Sequence, residues 1–178
     1  MNTQFDKSCK RATGRIRLLR KLKPHLSVKS ARSIYQSMII PTLTYCSTKK
    51  IKISDYQTKK LEIIHKQAMD VINNTNDAVQ NIALPSITHI RTRKTCELVR
   101  QCIDGNVCEN FLNYFNVINK ESVTRNGKYL LRLPKFNLEY GKSCFIFMGA
   151  RTYNDLPLEI RKIENYKEFR DRLKAFMS

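Results

Sequence analysis

The chain has 178 residues, an apolar fraction of 42% and a net charge of +18, with 33 Lys and Arg against 15 Asp and Glu. This length and apolar content allow one ordinary domain with a real core and exclude a disordered polymer. No run approaches the roughly 18 apolar residues of a membrane-spanning helix, and no apolar segment typical of a secretory signal follows the charged N-terminus. We therefore expect an intracellular, soluble protein, in either the nucleus or the cytoplasm.

The positive charge is concentrated in residues 1–50, which contain twelve Lys and Arg and a single acid, Asp6. A basic surface attracts polyanions, and nucleic acid is the commonest polyanion that an intracellular basic domain meets. Attraction to a membrane surface, or plain solubility, is the alternative explanation. We favour a nucleic-acid partner and expect no membrane partner.

The first predicted helix covers about residues 4–23. Its apolar residues recur at steps of four, three, four and three, which is one face of a helix, and Pro24 ends it. The rest of its surface is basic, and Lys and Arg there can contact phosphates without reading bases. The alternative is an ordinary solvated face. The candidate nucleic-acid-binding residues are Lys7, Lys10, Arg11, Arg15, Arg17, Arg20 and Lys21.

Further helices follow from capping and breaking signals. Ser27 is a candidate N-cap for a second helix that Pro41 stops, with Tyr35 on its buried face. Ser54 and Gln57 have the spacing of a capping box, which predicts a third helix to about residue 73. A fourth helix is predicted over 86–103, closed by a glycine.

The C-terminal part is predicted to contain a small two-stranded β element. Its two strands are indicated by two short alternations of apolar residues, at Tyr129, Leu131 and Leu133 and at Phe145 and Phe147. Asn165 begins a terminal helix with capping-box spacing. The predicted fold is mainly α, a helical bundle with this β element and a C-terminal helix. The predicted domains are residues 1–118 and 119–178.

The sequence contains no recognisable active site. Its three histidines are scattered, it has no Gly-rich phosphate loop, and no neighbouring carboxylates suggest two-metal chemistry. Cys96, Cys102 and Cys108 recur every six residues, so their thiols face different directions on a helix, and we interpret them as small buried hydrophobes rather than metal ligands. We expect no catalytic residue, no metal and no cofactor.

Several motifs resemble those of one known family. Residues 140–142 read Tyr-Gly-Lys, 149–151 Gly-Ala-Arg and 153–157 Tyr-Asn-Asp-Leu-Pro. This order is similar to the tail of non-LTR (LINE-type) retrotransposon reverse transcriptases of the jockey/CR1-like branch, with Tyr153 where a Trp usually stands. Further segments resemble the same family in order and spacing: residues 10–20, 31–45, 61–68 and 84–87.

The resemblance implies a fold and a function. It places residues 1–118 in the thumb that follows the polymerase palm, where a thumb grips the template–primer duplex. The implied partners are an RNA–DNA hybrid or duplex backbone, bound without sequence preference, and a full-length polymerase. The Tyr-x-Asp-Asp motif of the palm has no counterpart in this sequence. The resemblance therefore implies a catalytically incomplete fragment of an RNA-directed DNA polymerase, not an enzyme by itself.

A structural or interaction remnant without independent activity is the alternative. In that case Phe145, Phe147 and Tyr153 would pack within a larger body, and the chain alone would expose them.

Overall fold

The computed structural model describes residues 3–45, 54–73, 84–118 and 129–177, and these are mainly helical. The helices are α1 (Thr3–Leu22), α2 (Val28–Ile34), α3 (Ile40–Thr44), α4 (Asp55–Asn73), α5 (Ile87–Ile103), α6 (Glu139–Lys142), α7 (Phe145–Asn154), α8 (Leu158–Arg161) and α9 (Tyr166–Phe176). Short 3-10 turns occupy Lys23–His25 and Glu109–Phe111, and a π-helical turn occupies Tyr35–Ile39.

The described residues form two compact units that separate between Thr88 and His89, within the first turn of α5. The first unit contains α1 to α4, and the second contains the rest of α5 and the later elements. The predicted boundary between 1–118 and 119–178 lies at residues outside the described part of the chain.

Helix α1 follows its predicted pattern closely. Cys9, Ala12, Ile16 and Leu19 are buried on one side of the helix, where α1 packs against α3, α4 and the π-helical turn. The predicted end is also confirmed, because α1 stops at Leu22 and a 3-10 turn follows with Pro24 inside it. The periodicity of the apolar residues therefore identified both the helix and its buried face.

The second predicted helix does not stop at Pro41, so that prediction is wrong. Its N-cap is confirmed, since Ser27 Oγ accepts a hydrogen bond from the Ser30 N–H at 3.0 Å. The helix then widens into the π-helical turn, in which the Ile40 N–H reaches the carbonyl of Tyr35, five residues back. Proline cannot donate to a regular i−4 ladder, and the wider turn immediately before Pro41 carries the helical chain on to Thr44.

Helix α4 begins with the predicted capping box. The Gln57 N–H donates to Ser54 Oγ, and the Ser54 N–H donates to Gln57 Oε1, each at 3.3 Å. Two otherwise unpaired donors are thereby satisfied, which is the purpose of this motif. The helix ends at Asn73 as predicted.

Helix α5 ends at a glycine cap, also as predicted. Gly105 has φ of +72°, in the left-handed region that favours glycine. The Asn106 N–H donates to the Gln101 carbonyl at 2.9 Å, so a carbonyl of the last turn finds a partner beyond the helix end.

The predicted two-stranded β element is wrong. Phe145 and Phe147 belong to α7, where Ala150 and Tyr153 form the buried side. Two alternating aromatic residues were too short a pattern to separate a strand from a helix.

Within the described residues, the other predicted strand has one antiparallel bridge, from Val117 to Leu131. On the other side of this segment, the backbone N–H and carbonyl of Leu131 are hydrogen-bonded by a side chain. The Asn154 amide accepts from the Leu131 N–H at 2.8 Å and donates to the Leu131 carbonyl at 2.9 Å. A side chain of α7 therefore takes the place of a second strand.

The second unit has its own hydrophobic core, formed by α5, α7, α8 and α9 with the segment around Phe115 and Leu131. Tyr153 stacks on Phe169 with ring centroids 6.1 Å apart. Helix α9 is capped by Asn165, whose side chain accepts from the N–H groups of Lys167 and Glu168, which confirms the predicted start of the terminal helix.

Candidate nucleic-acid interface

Four of the seven predicted binding residues lie along one stripe of α1. Lys7, Lys10, Arg17 and Lys21 are exposed, and with Gly14 they are separated by three, four, three and four residues. This spacing places them on one face of the helix, away from its buried side chains. We call these four cations, with Gly14 at their centre, the basic stripe.

The other three predicted residues lie apart from the stripe. Arg11 and Arg20 are exposed on the flanks of α1. Arg15 is partly buried, and its Nη1 donates to the Met38 carbonyl at 2.5 Å and to Thr42 Oγ1. Its guanidinium therefore holds the carbonyl of a residue in the π-helical turn, a role that charge patterning could not reveal.

A groove of about 710 Å³ runs between α1 and α4 within the first unit. Three members of the basic stripe and Gly14 line its α1 wall, and Lys21 continues the stripe beyond it. The α4 wall is formed by Lys60, Ile63, Ile64 and Gln67. The α1–α4 groove thus has one cationic wall and one wall of mixed chemistry.

The α4 wall was not predicted, although Tyr56 was a candidate, since it lies near basic residues and could stack on an unpaired base. Lys60, Ile63 and Gln67 are separated by three and four residues, and Tyr56 precedes Lys60 by four, so all four share one flank of α4. Ile63 is 57% exposed and Tyr56 is 69% exposed. The apolar periodicity of α4 indicates its buried side and carries no signal for Lys60 or Ile63 on this flank.

Lys60 contacts one carboxylate and two aromatic rings. Its Nζ lies 2.9 Å from a carboxylate oxygen of Asp6, and 5.7 and 5.8 Å from the ring centroids of Phe5 and Tyr56. The hydrogen bond that Lys60 donates to Asp6 raises the pKa of Lys60 above its ordinary value. Lys60 is therefore a cation at neutral pH, and it partly cancels the charge of the Asp6 carboxylate, which also lines the groove.

Gly14 is the one position of the stripe without a side chain, and packing does not require it. A Cβ built on Gly14 would meet no atom within 4 Å. Glycine in a helix interior costs about 0.5–1 kcal/mol relative to alanine. Its effect on the surface is to expose helix backbone in the middle of the cationic wall.

Tyr35 is fully buried, which confirms the prediction that it packs in the core. Its hydroxyl is hydrogen-bonded to Nδ1 of the buried His65 on α4. Burial lowers the pKa of His65, and the nearby Glu62 opposes that shift. This pair fastens the π-helical turn to α4 and lies away from the groove lining.

The cysteines divide between core and surface. Cys96 and Cys102 are buried, as predicted, and so is Cys9. The prediction is wrong for Cys108, which is exposed in the segment after α5. Burial raises the pKa of Cys96 to about 12, so its thiol is protonated and unreactive at neutral pH. Among the residues that the structure describes, no cluster of three His, Cys, Asp or Glu could hold a metal ion.

Comparison with known proteins gives no family. No family model, no curated protein and no solved structure matches the chain. None of the helices in the described ranges is long and apolar enough to cross a membrane.

Proposed function

We propose that the chain binds nucleic acid through the basic stripe of α1, without sequence preference and without catalysing a reaction. The observation that carries this proposal is the alignment of four exposed cations on one face of a single helix. Lys and Arg so placed neutralise phosphates and release counterions. Because phosphate contacts carry no base information, affinity should be similar for all sequences.

We further propose that the chain derives from the thumb and C-terminal region of a non-LTR retrotransposon reverse transcriptase. The order and spacing of its motifs support this origin. Because the thumb of that family grips the template–primer duplex, a thumb-like role is consistent with binding the backbone of an RNA–DNA hybrid or a duplex. In this proposal the polymerase chemistry belongs to a palm, and a full-length polymerase is a possible partner.

The test is fluorescence anisotropy with labelled duplex and hybrid of several sequences at a series of salt concentrations. The binding variant carries Lys7→Gln, Lys10→Gln, Arg17→Gln and Lys21→Gln. Removing four phosphate contacts should reduce the slope of log K against log salt by about 3 to 4 and weaken binding to every sequence equally.

The matched control carries Lys135→Gln, Arg151→Gln, Lys162→Gln and Lys167→Gln. These are four exposed cations of the second unit, with the same change in net charge. The control should retain most of the affinity. Equal losses of affinity in the two variants would show that net charge alone, and not the basic stripe, attracts the nucleic acid. Binding of micromolar or weaker affinity with no dependence on salt would refute the proposal.

The interaction-remnant alternative receives less support. Its motivations were the missing palm and an aromatic tail that the chain alone would expose, and of that tail Tyr153 is only 2% exposed. A cooperatively unfolding monomer in sedimentation and denaturation experiments would remove the remaining argument for it. Aggregation relieved by an added polymerase would favour it.

A further inference from the structure

We infer that the α1–α4 groove accepts a single strand of nucleic acid, with phosphates along α1 and an unstacked base on Tyr56 of α4. This inference rests on the proposed function and specifies its ligand. It would make single-stranded DNA or RNA the preferred partner, rather than the duplex that the motifs suggest. The argument comes from the cations along the groove and from the exposed ring of Tyr56 next to it.

Single-strand binding needs cations for the phosphates and an aromatic ring for a base, and α1 and α4 supply one each. Proteins that bind single strands without sequence preference combine a positive groove along the backbone with aromatic side chains on which bases stack. The α1 wall provides the cations. Tyr56, whose ring is largely exposed, lies on α4 one turn before the groove lining, which begins with Lys60 and the exposed Ile63.

The ring of Tyr56 is also held in place. The Lys60 ammonium lies 5.8 Å from its centroid, within the distance at which a cation and an aromatic ring attract each other. Lys60 is itself fixed by Asp6. A base that stacks on Tyr56 would therefore meet a ring already positioned beside the cationic wall.

The exposed aromatic ring favours a single strand over a duplex. A duplex keeps its bases stacked and could touch α1 only along its outer phosphates. Tyr56 and Ile63 would then contribute nothing to its binding.

Gly14 fits the same arrangement. The gap that it leaves lies between the cations Lys10 and Arg17, and a Cβ there would meet no protein atom. A strand can therefore approach the helix backbone at this point. From Lys7 to Lys21 the stripe extends about 21 Å at the helical rise, which suits a site of several nucleotides.

The experiment compares a 12-nucleotide oligothymidylate and oligouridylate with a blunt 12-base-pair duplex and an RNA–DNA hybrid of the same length, at one salt concentration. We expect the single strands to bind about tenfold or more tightly than the two double helices. Tyr56→Ala should weaken single-strand binding about tenfold, as expected for loss of one stacked base, and leave duplex binding unchanged. Tyr56→Phe should preserve the affinity, and Gly14→Ala should reduce it.

Tyr140→Ala is the matched control, because Tyr140 is an 89% exposed tyrosine of the second unit. It should change neither affinity. Equal or tighter binding of the duplex, or no effect of Tyr56→Ala on the single strand, would overturn the inference. The proposed function would survive either result if binding still depended on the basic stripe. Absence of salt-dependent binding to every probe would instead refute the proposed function itself.

Discussion

At the scale of single residues, the burial of His65 predicts that the stability of the fold depends on pH. Burial lowers the pKa of His65 in the folded state, so the unfolded chain takes up a proton at higher pH than the folded one. Stability should be complete above the ordinary His pKa of about 6.5 and should fall as the pH drops below it. Urea denaturation at several pH values between about 5 and 8 measures this loss.

Two substitutions isolate the contribution of His65 from those of other groups. His65→Gln can still pair with the Tyr35 hydroxyl and does not titrate, so its stability should fall less between pH 7 and 5 than that of the parent chain. His25→Gln changes an exposed histidine and should retain the parent's pH dependence. An unchanged pH dependence in His65→Gln would show that His65 is not the responsible group.

At the scale of elements, substitution of Arg15 is expected to affect stability more than substitution of its exposed neighbours on α1. Its guanidinium donates to the Met38 carbonyl and Thr42, so it links α1 to the π-helical turn and α3. Arg15→Gln should cost about 1 kcal/mol of the free energy of unfolding, because it removes hydrogen bonds to the exposed Met38 carbonyl and to the partly buried Thr42 hydroxyl. Its effect on nucleic-acid affinity should be small.

Arg11→Gln is the control for this prediction. Arg11 lies one turn earlier and is exposed, and its replacement removes the same charge. It should change stability by less than about 0.5 kcal/mol. Urea denaturation of both variants, with anisotropy on the folded proteins, separates the two roles. Similar stabilities for the two variants would contradict the structural assignment of Arg15.

The elements that the sequence predicted well are those with a local signal. The buried face of α1, the capping box at Ser54 and the glycine cap at Gly105 depend on residues a few positions apart, so a short window contains their cause. The continuation of the helix past Pro41 and the helix at Phe145 also involve residues far along the chain. Arg15 bonds to the Met38 carbonyl and to Thr42, on either side of Pro41, and Asn154 of α7 pairs with Leu131 in the place where a second strand was predicted.

The same distinction between local signals and packing applies to the candidate site. Charge and helical periodicity sufficed to find the seven cations of α1 that include the basic stripe, because they lie on one helix, but did not separate Arg15 from the others. The α4 wall could not be assigned to the same site, because only packing brings α4 beside α1. Lys60 and Ile63 therefore became candidates only when the two helices were seen together, whereas Tyr56 was a stacking candidate from the sequence.

At the scale of the whole molecule, the net charge of +18 predicts opposite effects of salt on folding and on binding. Unbalanced charge destabilises a compact state through self-repulsion, and salt screens it, with a Debye length of about 10 Å at 0.1 M and 3 Å at 1 M. Raising NaCl should therefore raise the urea midpoint of the free chain. The same change should weaken nucleic-acid binding, because counterion release becomes less favourable.

The two measurements together identify why binding is lost at high salt. If the urea midpoint rises while affinity falls, the chain is more stably folded where it binds less, and unfolding cannot explain the loss. The variant with four Gln on α1 has a smaller net charge, so its midpoint should rise less with NaCl than that of the parent chain. A midpoint that falls with NaCl would show that specific ion pairs, such as Lys60 with Asp6, outweigh the repulsion among the excess cations.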